Sequence, residues 1–107
     1  MQINVTSKHL DLTSPIEQYV QEKAQRLPRY FDRIEQIKVI LEQSTHGFIT
    51  EVIVSVEHHD DIVSHAEEDD LYASIDNSMT RSQRQLTDHK SRLRDNKHHT
   101  PTGGNDR

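Results

Sequence analysis

Two neighbouring segments in the middle of this chain, Glu35–Gln43 and Phe48–Glu57, constrain its fold more than any other feature. In each of them aliphatic residues alternate with polar ones, and this period of two is typical of a strand that is buried on one face. The aliphatic sets are Ile37, Val39 and Leu41 in the first segment and Val52, Val54 and Val56 in the second. The short turn Ser44–Gly47 between the segments predicts an antiparallel hairpin.

Two shorter strands and a first helix flank the hairpin. In Gln2–Thr6, Ile3 and Val5 alternate with polar neighbours, and Ile62–Glu67 is predicted as a further short strand after the turn His58–Asp61. Ser14-Pro15-Ile16-Glu17 has the form of a capping box, with Ser14 as the capping residue, and it begins a helix. Pro28 is expected to end or kink this helix, because proline lacks the amide proton and clashes with the preceding turn.

A second, longer helix begins after Asp69 or Asp70, either of which is a suitable N-cap. Its predicted core stripe consists of Leu71, Ile75, Met79, Leu86 and Leu93. The order β-α-β-β-β-α predicts an α+β fold in which a four-stranded sheet carries both helices packed on one face. Two amphipathic helices and one sheet close a single core in this way, and the other sheet face is left to solvent or to a partner.

The apolar residues indicate one small domain followed by a tail. Leu, Ile, Val and Phe make up 25 of the 107 residues, and all of them lie between Ile3 and Leu93. This share, about 23%, is only slightly above the roughly 20% below which a highly charged chain is usually disordered, so we expect a small core. We expect a folded domain over residues 1–95 and a disordered tail over residues 96–107, which contains Pro101, Gly103 and Gly104.

Several classes of protein are not expected from this sequence. The chain has no cysteine, its first residues do not resemble a secretory signal, and no apolar stretch is long enough to span a bilayer. A cytoplasmic location is therefore the default, without membrane association. Nucleophile-elbow, P-loop and dinucleotide-binding motifs are absent from the sequence, so we expect neither an enzyme nor a cofactor.

Eight histidines and an acidic segment raise the question of a metal site. His58 and His59 are adjacent, which would place them on opposite faces of a strand, and no HxH or HExxH spacing occurs. The acids of Glu57–Asp70 lack the alternating ligands and central glycine of a calcium loop. Surface histidines and helix-capping acids explain both features more simply, and no metal is expected.

The charge of the chain is unevenly distributed. The net charge is −5, and Glu57–Asp70 contains seven acids and no Lys or Arg. Residues 71–97, by contrast, contain six Lys or Arg against three Asp, a net of +3. Because the local field decides where a polyanion docks, the second helix is a candidate surface for nucleic acid despite the negative total.

Helical geometry groups the basic residues of the second helix. Arg81, Arg84 and Arg92 share the face opposite the predicted core stripe, whereas Lys90 and Arg94 lie on its flank. The first helix region adds Lys23, Arg26 and Arg29, with Arg33 just beyond. These residues either form a two-helix surface that follows phosphates or are the ordinary charged outer face of amphipathic helices. The pattern of charges does not decide between these two interpretations.

Four segments resemble the short form of the ribosome hibernation promoting factor family, also called sigma-54 modulation proteins. They are MQINVTSKHLDLT, IEQYVQEKAQRLPRYFDRI, AEEDDLYASID and RxxRQLxxHK, and the resemblance covers about residues 1–95. It implies a fold related in shape to double-stranded-RNA-binding domains. It also implies a factor that binds rRNA in the decoding channel of the small ribosomal subunit, within 70S ribosomes. Such a factor blocks mRNA and tRNA, inhibits translation and preserves idle ribosomes in stationary phase and stress. We expect the chain to be a monomer away from the ribosome.

The resemblance also implies a set of RNA-binding residues. They are Lys23, Arg26, Arg33, Arg81, Arg84, His89, Lys90, Arg92 and Arg94. Asp88 departs from the family pattern, which usually has a base in the middle of this face, and Ser78 and Ser82 stand where apolar residues are usual. The alternative function is a protein-interaction module that modulates a transcription factor through the open sheet face.

Overall fold

The computed structural model describes residues 1–98 of the chain and the side chains of residues 1–94. Over that range the strands are β1 (Gln2–Lys8), β2 (Ile34–Ser44), β3 (Gly47–Val56) and β4 (Ile62–Glu68). The helices are α1 (Ser14–Ala24) and α2 (Leu71–His98), and a 3₁₀ turn, Leu27–Arg29, follows α1. The predicted order β-α-β-β-β-α is confirmed.

The four strands form one mixed sheet in the order β1-β2-β3-β4. β2, β3 and β4 make an antiparallel meander, so the predicted hairpin between β2 and β3 is confirmed. β1 pairs in parallel with β2, and Val5 is the register partner of Val39. α1 and the 3₁₀ turn connect these two strands, because parallel neighbours require a crossover from one end of the sheet to the other.

The turn of the hairpin depends on Gly47. Ser44 pairs with Gly47 across a two-residue turn, and Gly47 has a φ of +142°, which L-residues with a side chain rarely adopt. A Cβ atom at this position would also collide with the backbone carbonyl of Glu68 at the end of β4. Glycine is therefore required here both by the conformation of the turn and by the close approach of the neighbouring strand.

The beginning of α1 differs from the prediction by one residue. The N-cap is Thr13, whose hydroxyl accepts a hydrogen bond from the Ile16 amide at 3.5 Å, so the prediction of Ser14 as the cap is wrong. Either hydroxyl can cap a helix, and Pro15 loses no needed donor at the first or second helical position. α1 ends at Ala24, ahead of the 3₁₀ turn that contains Pro28, as expected.

α2 begins where one of the two predicted caps places it. The Asp70 carboxylate accepts a hydrogen bond from the Ala73 amide at 2.9 Å, which makes Asp70 the N-cap. The helix continues past Asp95 to His98, and residues 99–107, which hold most of the predicted tail, lie outside the described residues. No helix in the described range is long and apolar enough to cross a membrane.

Both helices pack on one face of the sheet, as predicted, with α2 against β3 and β4 and α1 against β1. The odd-numbered aliphatic residues of β2 and the even-numbered ones of β3 are buried beneath them, as expected. Leu71, Ile75, Met79 and Leu86 of the predicted α2 stripe are also buried.

Leu93 is the exception in the predicted stripe, because it is 39% exposed. α2 has 28 residues and β4 has seven. At about 1.5 Å per helical residue and about 3.3 Å per strand residue, the helix is about 42 Å long and the strand about 23 Å. The end of α2 therefore extends beyond the sheet that would cover Leu93.

Serines complete the buried face of α2. Ser74, Ser78 and Ser82 are all buried between the apolar residues of the stripe. The hydroxyls of Thr50 and Ser74 lie 2.8 Å apart, and the Ser64 hydroxyl donates to the Ser78 carbonyl at 3.0 Å. A strand side chain reaches the helix backbone here, so the small residues of α2 let the helix lie close to the sheet.

The opposite face of the sheet is not covered by other described elements. Ile40, Ile49 and Ile53 are partly exposed on it, and Val63 is 43% exposed. Acids and bases are mixed among them; these charged residues are Lys8, Lys38, Glu42, Glu51 and Glu67. This surface, the open sheet face, contrasts with the helical side described next.

Candidate nucleic-acid interface

The helix α2 presents five basic side chains to solvent. Arg81, Arg84, Lys90, Arg92 and Arg94 are all exposed, as the sequence predicts for this helix. Within the side chains that the structure describes, α2 contributes only two acids, Asp76 and Asp88. The exposed side of α2 therefore carries a net positive charge.

Arg81 lies on the side of α2 that faces β4. Its guanidinium donates a hydrogen bond to the backbone carbonyl of His65, on the free edge of that strand. Asp88 follows Arg81 by seven residues, or two turns, and therefore lies on the same side of the helix. Arg81 thus stabilises the fold as well as contributing positive charge. On this side of α2 the acidic Asp88 interrupts the positive charge.

The other side of α2 forms one wall of a groove of about 580 Å³ whose other wall is α1 and the 3₁₀ turn. Three basic residues line it, together with polar and apolar ones: Lys23, Arg26, Leu27, Arg29, Tyr30, Asp76, Met79, Thr80 and Gln83. Lys90 and Arg94 follow Gln83 by seven and eleven residues, so they extend the same side of α2 beyond the groove. We call this region the α1–α2 groove.

Asp76 joins the two walls of the α1–α2 groove. The Tyr19 hydroxyl donates to its Oδ1 at 2.7 Å, and the Lys23 Nζ lies 3.5 Å from the same oxygen. The pKa of Tyr19 is raised to about 12, mainly by the hydrogen bond to Asp76 and secondly by burial. The Tyr19 ring also packs edge-on against Tyr72, with 4.8 Å between ring centroids. Asp76 partly neutralises the charge of Lys23. The less compensated positive charge of the groove is therefore that of Arg26 and Arg29.

The structure separates Arg33 from the predicted first-helix cluster. Arg33 is exposed, but its backbone carbonyl accepts a hydrogen bond from the Glu57 amide at 3.1 Å, at the start of β2 and the end of β3. It does not line the α1–α2 groove, whereas Arg29 does. The predicted contact set does not include Arg29, although this residue follows Arg26 by one turn and its spacing alone indicates it.

His89 is buried, with 3% of its surface exposed. Its ring packs edge-on against Phe31 at 5.0 Å and against His59 at 4.4 Å, so it joins α2 to the segment after the 3₁₀ turn and to the β3–β4 turn. A side chain buried to this extent does not reach a polyanion outside the domain. His89 is therefore removed from the predicted contact set, and its role is in packing.

Acid should destabilise the fold through His89. Burial lowers its pKa below 6.5, and the nearby His59 and Arg92 lower it further. The unfolded chain then binds a proton that the folded one does not, so the free energy of unfolding decreases as the pH falls below about 6.5. Urea denaturation from about pH 8 to about pH 5 measures this dependence. His89→Gln should flatten the profile, and His46→Gln, at an exposed turn position, should leave it unchanged. An unchanged slope in His89→Gln would contradict the assignment.

Comparisons with known proteins place these features in a family. The model of the family described as sigma 54 modulation protein / S30EA ribosomal protein matches residues 3–94. The ribosome hibernation promoting factor of Azotobacter vinelandii is 37% identical over 92 residues, which cover 86% of this chain and 85% of that protein. Its namesake from Escherichia coli K12 is 34% identical over 94 residues, which cover 88% and 98%.

Two solved structures share the fold. A ribosomal subunit interface protein from Coxiella burnetii superposes with a TM-score of 0.78 at 25% identity, covering 85% of this chain and 99% of that one. The N-terminal domain of Thermus thermophilus Protein Y superposes with a TM-score of 0.74 at 30% identity, covering 83% and 99%.

Proposed function

Because this chain belongs to the family of sigma 54 modulation proteins and S30EA ribosomal proteins, we propose that it is a ribosome hibernation factor. It binds rRNA in the decoding channel of the small ribosomal subunit, including that of 70S ribosomes, and blocks the binding of mRNA and tRNA. It acts in the cytoplasm by occupying this site rather than by catalysis. The result is inhibited translation and the preservation of idle ribosomes in stationary phase and stress.

The observation that supports this proposal is the concentration of basic side chains on the helical side of the molecule. The exposed bases of α2 and those of the α1–α2 groove all belong to the helical side, whereas acids and bases are mixed on the open sheet face. Lys and Arg that neutralise phosphates release condensed counterions, which gives binding that is strong at low salt. The proposed contact set is Lys23, Arg26, Arg29, Arg33, Arg81, Arg84, Lys90, Arg92 and Arg94.

Sedimentation with purified small subunits tests the proposal. We expect the protein to co-sediment at low salt, to dissociate as salt is raised, and to be displaced by mRNA together with tRNA. Binding that is insensitive to salt would contradict a phosphate-contacting surface. Binding that is unaffected by mRNA and tRNA would contradict the decoding channel as the site.

Asp88→Lys should tighten binding to the small subunit. Asp88 is exposed and lies one turn from both Arg84 and Arg92, so its carboxylate opposes the approach of phosphate. We expect about tenfold tighter binding and a steeper dependence on salt, because one more cation contacts phosphate. Glu51→Lys, the same change of charge on the open sheet face, serves as the control in the same sedimentation assay. Equal effects of the two variants would show that total charge, rather than this surface, controls binding.

A further inference from the structure

The α1–α2 groove has the size and the side chains of a site for one nucleotide. We propose that it binds a single nucleoside monophosphate unit, with the phosphate on Arg26 and Arg29 and the base against Tyr30. The proposal rests on the proposed function only for the source of the nucleotide, which is either an unpaired nucleotide of rRNA or a free one. The chemistry that recognises it is the same in both cases.

The dimensions of the groove favour a small ligand over a continuous strand. Its volume of about 580 Å³ lies within the range of about 300–1,000 Å³ that is usual for small-molecule sites. The groove is bounded by α1 and the 3₁₀ turn on one side and by α2 on the other. A base that leaves the stack of a single strand enters such a cleft, which is how sequence-specific RNA proteins commonly bind unpaired nucleotides.

Positive charge on the wall that α1 and the 3₁₀ turn form suits the phosphate. Arg26 and Arg29 are exposed and lie one turn apart, and neither forms an ion pair with another side chain among residues 1–94. Lys23 is already held by Asp76 at 3.5 Å. Two free guanidinium groups with planar donor sets match the oxygens of one phosphate group.

The remaining lining suits a base and a ribose. Leu27 and Met79 are buried and supply an apolar floor. Tyr30 is partly exposed and lines the groove, and any of the bases can stack on an aromatic ring. Gln83 adds an amide that both donates and accepts hydrogen bonds, so it can read a base edge.

Titration of the labelled protein with AMP, observed by NMR, tests the proposal. We expect chemical-shift changes at the groove residues. We also expect AMP to bind at least about fivefold more tightly than ribose 5-phosphate, because only AMP has a base that can stack on Tyr30. Arg26→Ala with Arg29→Ala should weaken AMP binding about tenfold or more. Lys8→Ala with Lys38→Ala, an equal loss of charge on the open sheet face, should leave it unchanged.

A second pair of variants isolates the aromatic ring. Tyr30→Phe should keep the preference for AMP over ribose 5-phosphate, and Tyr30→Leu should abolish it. If Tyr30→Leu does not fold, the arginine variants and the position of the shifts still decide the outcome. Any of three results would overturn the proposal: equal affinities for AMP and ribose 5-phosphate, chemical-shift changes that lie outside the groove, or an equal loss of AMP affinity in the two double variants.

The same variants separate this proposal from the proposed function and identify the source of the nucleotide. Co-sedimentation without AMP binding would refute the groove site and leave the ribosomal role intact, whereas AMP binding without co-sedimentation would do the reverse. If the nucleotide belongs to rRNA, Arg26→Ala with Arg29→Ala also weakens co-sedimentation. If it is free, that variant co-sediments like the wild type.

Discussion

Reversing the charges of Arg84 and Arg92 together should weaken binding to the small ribosomal subunit by about 100-fold or more at moderate salt. Both side chains are exposed, and neither forms an ion pair or a side-chain hydrogen bond within residues 1–94. Reversing their charges therefore removes no ion pair and no side-chain hydrogen bond of the described fold. Glutamate at both positions replaces two attractions for phosphate with two repulsions, and sedimentation at several salt concentrations measures the loss.

The matched control is Lys8→Glu with Lys38→Glu, which makes the same change of charge on the open sheet face. A ribosome-binding factor that uses its helical side should lose little affinity with this control. The alternative function, a protein-interaction module that uses the open sheet face, predicts the opposite ranking of the two variants. Unfolding curves for both proteins show whether either change alters stability. Equal affinity of wild type and the Arg84 and Arg92 variant would refute the basic face of α2 as the contact surface.

Gly47→Ala should reduce the free energy of unfolding by about 3 kcal/mol, from the strained φ and the collision together. The added methyl group meets a backbone carbonyl, that of Glu68, so it cannot be accommodated by rotation of a side chain. Relief requires β4 to move away from the hairpin, and β4 carries the connection to Asp70 and the beginning of α2.

Urea denaturation measures this loss, with Thr45→Ala as the control in the same turn. Thr45 is exposed and no hydrogen bond of its side chain is found within residues 1–94, so its replacement should change stability by less than about 0.5 kcal/mol. Similar values for the two variants would show that the turn tolerates a side chain at position 47.

The sequence was sufficient to predict the elements because each has a local signature. Alternation defined β2 and β3, and Asp70 marked the beginning of α2. The parallel pairing of β1 with β2 has no such signature, because it joins residues far apart in the chain. Leu93 repeats the spacing of the core stripe, yet its exposure depends on the length of the sheet beneath it, which periodicity does not report.

The sequence predicted the candidate site as a charged helix. It did not predict that one side of α2 faces β4 and the other lines the α1–α2 groove. Helical spacing found the five bases of α2, which the structure exposes. It did not show that Arg81 reaches the backbone of β4, or that Arg29 rather than Arg33 joins the groove. The spacing of His89 places it on the core stripe, but a histidine is not predicted to be buried from its polarity. Its packing against Phe31 and His59 in the structure explains why it is buried.

The parallel pairing of β1 with β2 sets an order for folding during synthesis. β1 and α1 leave the translating ribosome first, but Gln2 has no partner until Gln36 has followed it. The meander of β2, β3 and β4 needs only short loops to close, whereas β1 must close a loop that contains all of α1, at a greater cost in chain entropy. We expect the nascent chain to hold its N-terminal strand unpaired until the central hairpin has formed. A factor of this architecture therefore completes its sheet only late in its own translation.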